Sequence, residues 1–168
     1  MVQNIILLIV SALGGVFDWK ARRIPNWLTF GTLLFMLLFN TFYFRGEILN
    51  SLLGFLAGLA LLSIPYLFGI MGAGDVKLLG AIGSIVGFKN IVLIFLYSSI
   101  CGLFLGIIWL VFSPDRLKFL ITTGQVLPAV DKKQKLPYGI AIFMGTFIYI
   151  MFGTNSFLKG ISILPIWQ

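Results

Sequence analysis

The sequence contains no histidine, one cysteine and few charged residues. Of its 168 residues, 10% are charged, whereas a soluble domain carries about 25%. Without histidine, and with Cys101 as the only thiol, the chain cannot form an internal disulfide, and a zinc or haem site is not expected. We therefore expect no metal and no cofactor. Catalysis by a Cys–His or Ser–His pair is excluded for the same reason.

Apolar residues, by contrast, make up 60% of the chain and occur in long runs. About 20 apolar residues in a helix are needed to cross about 30 Å of hydrocarbon. The sequence therefore predicts an all-α, polytopic membrane protein that forms one domain, residues 1–168. About six transmembrane helices are expected, with a longer loop at about 113–135. The runs cover about residues 2–17, 27–44, 50–70, 76–88, 90–112 and 136–153.

The net charge of +7 comes from basic residues between the apolar runs. This position argues for contact with the lipid bilayer and against a nucleic-acid partner. Loops rich in lysine and arginine face the cytoplasm, so both termini are expected outside and the first, third and fifth loops inside. The predicted inner residues are Lys20, Arg22, Arg23, Lys77, Arg116, Lys118, Lys132, Lys133 and Lys135, and the outer ones are Arg45, Lys89 and Lys159.

Two of the five acidic residues stand at the edges of apolar runs. Asp18 follows the first run and Asp75 precedes the fourth, on the same predicted side of the membrane. Both runs are short, about 24 Å and about 20 Å of helix against about 30 Å of hydrocarbon. The two carboxyls are therefore expected below the headgroups, where an ionisable side chain indicates function. The other acids, which lie beside basic residues in loops, are Glu47, Asp115 and Asp131.

Two carboxyls that meet in a low-dielectric site share one proton, so one acts as a base and the other as an acid. Such a pair can activate water against an amide. Structural alternatives exist for each residue: Asp75 is suited to a helix N-cap, and Asp18 to an ion pair with Arg22 one turn later. Gly72 and Gly74 are compatible with a simple turn or with close approach of a substrate backbone.

Three segments resemble motifs of the type IV prepilin peptidases, the Gly-x-Gly-Asp class of intramembrane aspartyl proteases. Pro25 and Asn26 close the first segment and also form a good helix start. The third resembles the Pro-[Phe/Tyr]-Gly segment that opens a late helix in that family. The segments are Asp18-Trp-Lys-Ala-Arg-Arg-Ile-Pro-Asn26, Gly72-Ala-Gly-Asp75-Val-Lys77 and Leu136-Pro-Tyr-Gly-Ile-Ala141.

The resemblance implies an endopeptidase of the prokaryotic plasma membrane with Asp18 and Asp75 as its catalytic dyad. It would remove the basic leader from type IV prepilin-like or preflagellin-like proteins at the cytoplasmic face. The active-site turn or substrate contacts implied by the motifs are Gly72, Gly74, Lys77, Pro25, Asn26, Pro137 and Gly139. Lys77 is also suited to contact with lipid headgroups.

The chain departs from the larger relatives, which carry paired Cys-x-x-Cys motifs before the first aspartate and methylate the new amino terminus. The expected form is the compact one, similar to the tight-adherence (Flp) pilus peptidases, without methylation. Asp115 and Asp131 are candidate docking groups for the basic leader. Two alternatives stay open: a small proton-coupled transporter or channel that uses the same aspartates, and a non-catalytic membrane subunit of a secretion system.

Three pairs of the form Gly-x-x-x-Gly also predict close packing between helices. They are Gly54/Gly58, Gly83/Gly87 and Gly102/Gly106.

Overall fold

The part of the chain that the computed structural model describes, residues 2–21, 23–43, 48–68, 71–112 and 138–153, is all-α, as predicted. A π-helical turn, Tyr149–Gly153, continues the last helix. The five α-helices in chain order are α1 Val2–Ala21, α2 Asn26–Tyr43, α3 Ile48–Leu67, α4 Ala73–Val111 and α5 Tyr138–Ile148.

Three of these helices are long and apolar enough to cross a membrane: Val2–Ala21, Ile48–Leu67 and Ala73–Ile108. The apolar helices Asn26–Asn40 and Tyr138–Phe152 are shorter. The protein is therefore a membrane protein, and the count of six crossings stays a prediction. The predicted loop at about 113–135, with Asp115 and Asp131, lies outside the described residues.

The first predicted boundary was wrong by four residues. Helix α1 continues past Asp18 to Ala21 and so contains 20 residues, about 30 Å of helix. The residues after Asp18 include Lys20 and Ala21, both good helix formers, and no helix breaker precedes Pro25. The first span is therefore not short, and Asp18 lies inside the last turns of α1 rather than after its end.

The predicted fourth and fifth spans belong to one helical element, α4, which is interrupted at Gly87. Gly87 has φ 81° and ψ 175°, a conformation that only glycine adopts readily. Gly83 and Ile91 lie eight residues apart, about 12 Å along a straight helix, yet a Cβ atom at Gly83 would lie 3.3 Å from Ile91 Cγ1. The chain therefore bends sharply at Gly87 and brings the two segments of α4 side by side.

A group of neutral polar side chains, Asn40, Asn50 and Ser51, surrounds this bend, and we call it the amide cluster. Asn50 Oδ1 accepts a hydrogen bond from the backbone N–H of Phe88 at 3.1 Å, the first residue after Gly87. Asn40 Nδ2 donates to Ser51 Oγ at 2.5 Å. The cluster thus links α2 to α3 and caps the second segment of α4.

Close glycine contacts join α3 to the first segment of α4. A Cβ atom at Gly54 would overlap the carbonyl oxygen of Gly83, and one at Gly58 would lie 2.5 Å from the carbonyl oxygen of Leu79. The predicted close packing is confirmed at these positions. Gly102 instead faces the ring of Tyr138.

Candidate active site

Asp18 and Asp75, the two aspartates that the sequence predicts to be functional, are both buried although their side chains are ionisable. Asp18 is 7% exposed in the last turns of α1, and Asp75 is 5% exposed in the first turn of α4. Burial of a carboxyl group is costly unless hydrogen bonds replace water. The surrounding backbone must therefore supply donors to each acid.

Asp18 obtains its donor from the start of α5. The backbone N–H of Gly139 donates to Asp18 Oδ2 at 2.8 Å, across 121 residues of sequence. N–H groups in the first turn of a helix have no partner within that helix, and this end of the helix dipole attracts negative charge. A Cβ atom at position 139 would lie 2.7 Å from Asp18 Cβ, so the contact requires glycine. The predicted partner Arg22 lies outside the described residues.

Asp75 obtains a donor from its own helix start. The backbone N–H of Gly72 donates to Asp75 Oδ2 at 3.2 Å, and the N–H of Asp75 donates to the Gly72 carbonyl at 3.2 Å. The first bond is the half of a capping box that the third helical residue supplies, with Gly72 at the N-cap position, and the second is the backbone bond that closes the first turn. Asp75 is therefore not the N-cap residue, which was the structural alternative for it. Its side chain caps α4 from within the first turn of the helix.

The structure brings the first two motif segments together. A Cβ atom at Gly74 would lie 3.2 Å from Ile24 Cβ, so Gly74 allows the start of α2 to pack on α4. Lys77 Nζ donates to Asn26 Oδ1 at 3.0 Å and lies 5.8 Å from the centre of the Phe30 ring. Three contacts thus fix the start of α2 against the start of α4.

The connection from α1 to α2 is fixed by local contacts. The Pro25 carbonyl accepts from the N–H of Leu28 at 3.1 Å, so Pro25 directly precedes the first turn of α2, as its helix-start role predicts. The rings of Phe17 and Trp27 meet edge to face, with centroids 6.0 Å apart. Pro25 and Asn26 therefore help to hold the chain between Asp18 and α2.

The third motif segment is described from Tyr138 onward, and Pro137 lies outside the described residues. Tyr138 is buried, with 6% exposure. Its ring lies against Gly102, where a Cβ atom would meet Tyr138 Cε2 at 2.5 Å. Tyr138 is not among the site residues that the sequence predicts, although it lies inside the third motif segment.

Asp18 and Asp75 lie at the same end of the bundle, which we call the acid end. A Cβ atom at Gly14, one turn before Asp18, would lie 2.5 Å from Cδ1 of Leu78, one turn after Asp75, so α1 and α4 pack together beside the two acids. Among the described residues, no group of three or more His, Cys, Asp or Glu side chains could hold a metal ion. The two buried carboxyls are groups that can give and take protons.

A comparison with protein families gives one match. A sequence model of the type IV leader peptidase family matches residues 5–107, which include Asp18 and Asp75 and both of their motif segments but not the segment around Tyr138. No significant match was found among curated proteins or among solved structures. Since the matched region covers more than half of the 168 residues, the chain belongs to the type IV leader peptidase family.

Proposed function

We propose that this protein is an intramembrane aspartyl endopeptidase that removes the basic leader peptide from type IV prepilin-like precursors. Membership of the family implies cleavage of prepilin leaders. The observation that carries the assignment of the dyad is the burial of Asp18 and Asp75 at the same end of the packed helices α1 and α4. Two carboxyls that share one proton can hydrolyse an amide without a metal and without a nucleophilic side chain.

In the proposed reaction the ionised carboxyl takes a proton from a water molecule, whose oxygen attacks the scissile carbonyl carbon. The protonated carboxyl donates its proton to the carbonyl oxygen, and a neutral gem-diol forms. The first carboxyl then donates its new proton to the amide nitrogen while the second takes one from the gem-diol. The C–N bond breaks, a carboxylic acid and an amine leave, and the dyad returns to its starting protonation.

The surroundings of Asp75 support access by an extended substrate. A peptide bond inside a helix is closed to water, so the substrate must present an unwound segment, which is least costly near a helix end. A Cβ atom at Gly72 would meet nothing closer than Asp75 Oδ2, at 3.4 Å. At Gly74, in contrast, Ile24 fills the space beside the backbone. Gly72 is therefore the glycine beside which substrate backbone would approach the acid.

Basic residues at the acid end support a cytoplasmic site. Lys20, Arg23 and Lys77 all lie near the ends of α1, α2 and α4 that carry or adjoin the acids. Under the positive-inside rule this end faces the cytoplasm. That orientation matches a leader presented from the cytoplasm, where precursors are made. The loop acids Asp115 and Asp131 remain proposed docking groups for the basic leader.

The deciding experiment replaces each dyad aspartate singly by asparagine and follows leader removal from a co-expressed prepilin on a gel. Asparagine keeps the shape but cannot exchange a proton, so each variant should lose at least about 1,000-fold in cleavage rate. Glu47→Gln, at an acidic residue that has no proposed role in binding or catalysis, is the matched control and should cleave like the parent. Cleavage retained by Asp18→Asn or Asp75→Asn in correctly inserted protein would overturn the dyad.

The same variants separate the alternatives. A proton-coupled transporter would show proton flux in proteoliposomes that disappears in Asp18→Asn, with no leader removal by the parent protein. A non-catalytic subunit would tolerate both replacements and would not cleave the substrate when purified. The proposed peptidase requires cleavage by the purified parent chain and its loss in both variants.

A further inference from the structure

Helix α1 touches α4 through Gly14, one turn before Asp18. Gly14 is buried, and a Cβ atom at this position would lie 2.5 Å from Cδ1 and Cδ2 of Leu78 and 3.1 Å from its Cγ. Leu78 is itself fully buried. Protein interiors are closely packed, so the end of a buried leucine has little space into which it could turn. The missing side chain of Gly14 therefore sets how closely α1 approaches α4 at this level.

The first segment of α4 runs antiparallel to α1. Helix α5 is antiparallel both to α1 and to the second segment of α4, because in each contact pair the residue number rises in one helix as it falls in the other. The pairs are Asp18/Gly139 and Gly15/Phe143 between α1 and α5, and Gly102/Tyr138 and Ser98/Gly145 between the second segment and α5. Helix α1 is thus parallel to the second segment, and the bend at Gly87 reverses the first.

The contact between Gly14 and Leu78 places the two acids opposite each other. Asp18 follows Gly14 by four residues and Asp75 precedes Leu78 by three, which is about 6 Å and about 4.5 Å along the two helices. Because the helices are antiparallel, both steps lead toward the acid end. Residues three or four apart share a helix face, so each acid lies on the face that forms the contact. The levels of the two acids then differ by only about 1.5 Å.

We propose that Gly14 is a positioning residue, which together with Leu78 sets the separation of α1 and α4 and thereby the separation of Asp18 and Asp75. This inference rests on the proposed function, because it assumes that the two acids share a proton. Carbon atoms in contact lie about 3.5 to 4.0 Å apart, so a methyl group at Gly14 needs about 1 Å more room. A catalytic pair must be held to within about 0.5 Å. The plain structural alternative is a packing contact that affects stability alone.

The test measures kcat and KM for cleavage of a prepilin by the purified, folded full-length chain in detergent. For Gly14→Ala we expect kcat to fall about 10- to 100-fold, since a displacement of about 1 Å in a catalytic group costs about that much. KM should change less than about twofold, because the substrate does not contact Gly14. Gly31→Ala adds the same methyl group where nothing lies within 4 Å, and this control should keep the parent kcat.

A compensating change at Leu78 distinguishes positioning from a general loss of packing. Leu78→Val shortens the side chain by one carbon atom, so the double variant Gly14→Ala/Leu78→Val conserves the total volume at the contact. We expect the double variant to recover kcat to within about threefold of the parent, and Leu78→Val alone to lose less than about threefold. A double variant as slow as Gly14→Ala, or a parent-like kcat in folded Gly14→Ala, overturns the proposal.

If Gly14→Ala does not accumulate as folded protein, truncation of the partner residue decides. Leu78→Ala should lower kcat at least about fivefold, because α1 then loses the contact that fixes its distance from α4. Leu7→Ala is the control, since Leu7 is equally buried in α1 but lies 11 residues before Asp18. Equal kcat values for these two variants overturn the proposal. No cleavage by the parent chain, or full activity in Asp18→Asn, would instead defeat the proposed function and this inference with it.

Discussion

The two ends of the first segment of α4 both bury polar side chains, and they do so for different purposes. At the bend, the amide cluster uses neutral groups: Asn40 and Ser51 are buried, whereas Asn50, which accepts from the N–H of Phe88, is exposed. At the acid end, Asp18 and Asp75 accept from the N–H groups of Gly139 and Gly72. The hydrogen bonds are alike, since each satisfies a donor at a helix start. Such a bond therefore does not mark function by itself.

The difference lies in the charge and in the use of glycine. The helix start at the bend is satisfied by the exposed amide of Asn50, whereas the acid end buries two carboxyls, and burial of an ionised group costs far more than burial of an amide. Gly87 at the bend is needed for its backbone conformation, φ 81°. Gly139 at the acid end is needed because the side chain of Asp18 leaves no room for a Cβ atom at that position. Substitutions at the bend should therefore change stability, and substitutions at the acid end should change catalysis.

The largest effect in this comparison is expected for Gly139→Ala. The new methyl group would lie 2.7 Å from Asp18 Cβ, so Asp18 must move away from the N–H that holds it. We expect kcat/KM for leader cleavage to fall at least about 100-fold, since small displacements of a catalytic group cost about that much. Gly31→Ala is the control, because a Cβ atom at Gly31 meets nothing within 4 Å. Parent-like cleavage by folded Gly139→Ala would contradict the role of this contact.

Gly87→Ala tests the other end and should act on stability. Alanine disfavours φ 81°, and its methyl group would overlap the Asn50 amide. We expect a loss of about 1 to 3 kcal/mol in the free energy of unfolding, measured as a lower unfolding temperature in detergent. The cleavage rate per folded molecule should change much less than in Gly139→Ala. A Gly87→Ala variant that is as stable as the parent but cleaves poorly would contradict the assignment of stability to the bend and of catalysis to the acid end.

Much of this arrangement follows from local sequence patterns. The apolar runs predict the all-α membrane fold, the spacing of Gly54 and Gly58 predicts close packing, and the motifs single out Asp18 and Asp75. These features depend on composition and short spacing alone. The apolar run does not predict the extension of α1 to Ala21, because Asp18 and Lys20 end the run, although Lys20 and Ala21 favour a helix.

The contacts that organise the site could not be predicted in this way. Gly139 reaches Asp18 across 121 residues, and local periodicity contains no information on which distant helix start lies beside an acid. The contact of the Tyr138 ring with Gly102 depends on the bend at Gly87, because the bend sets where the second segment of α4 lies. A glycine inside an apolar run signals either a bend or a close contact, and only the structure distinguishes them.

The smallest effect is expected at the bond between Lys77 and Asn26, which joins α2 to α4 at the acid end. The bond is 3.0 Å long but exposed, so water competes for both partners, and the pair should contribute no more than about 1 kcal/mol. Lys77→Met should lower kcat/KM about two- to fivefold, because it removes the bond to Asn26 and the contact of Lys77 Nζ with the Phe30 ring, whereas the packing of Ile24 on Gly74 remains.

Lys20→Met removes the same charge near the same end, from an exposed position of α1, and separates a general charge effect from a specific bond. If lipid headgroup contact is the main role of Lys77, both variants should lose activity equally, and the loss should shrink as anionic lipid is withdrawn. If the bond to Asn26 matters, Lys77→Met and Asn26→Ala should be non-additive, whereas Lys20→Met should add to either. Equal and additive losses of activity in Lys77→Met and Lys20→Met would show that cleavage depends only on positive charge at the acid end and not on the bond between Lys77 and Asn26.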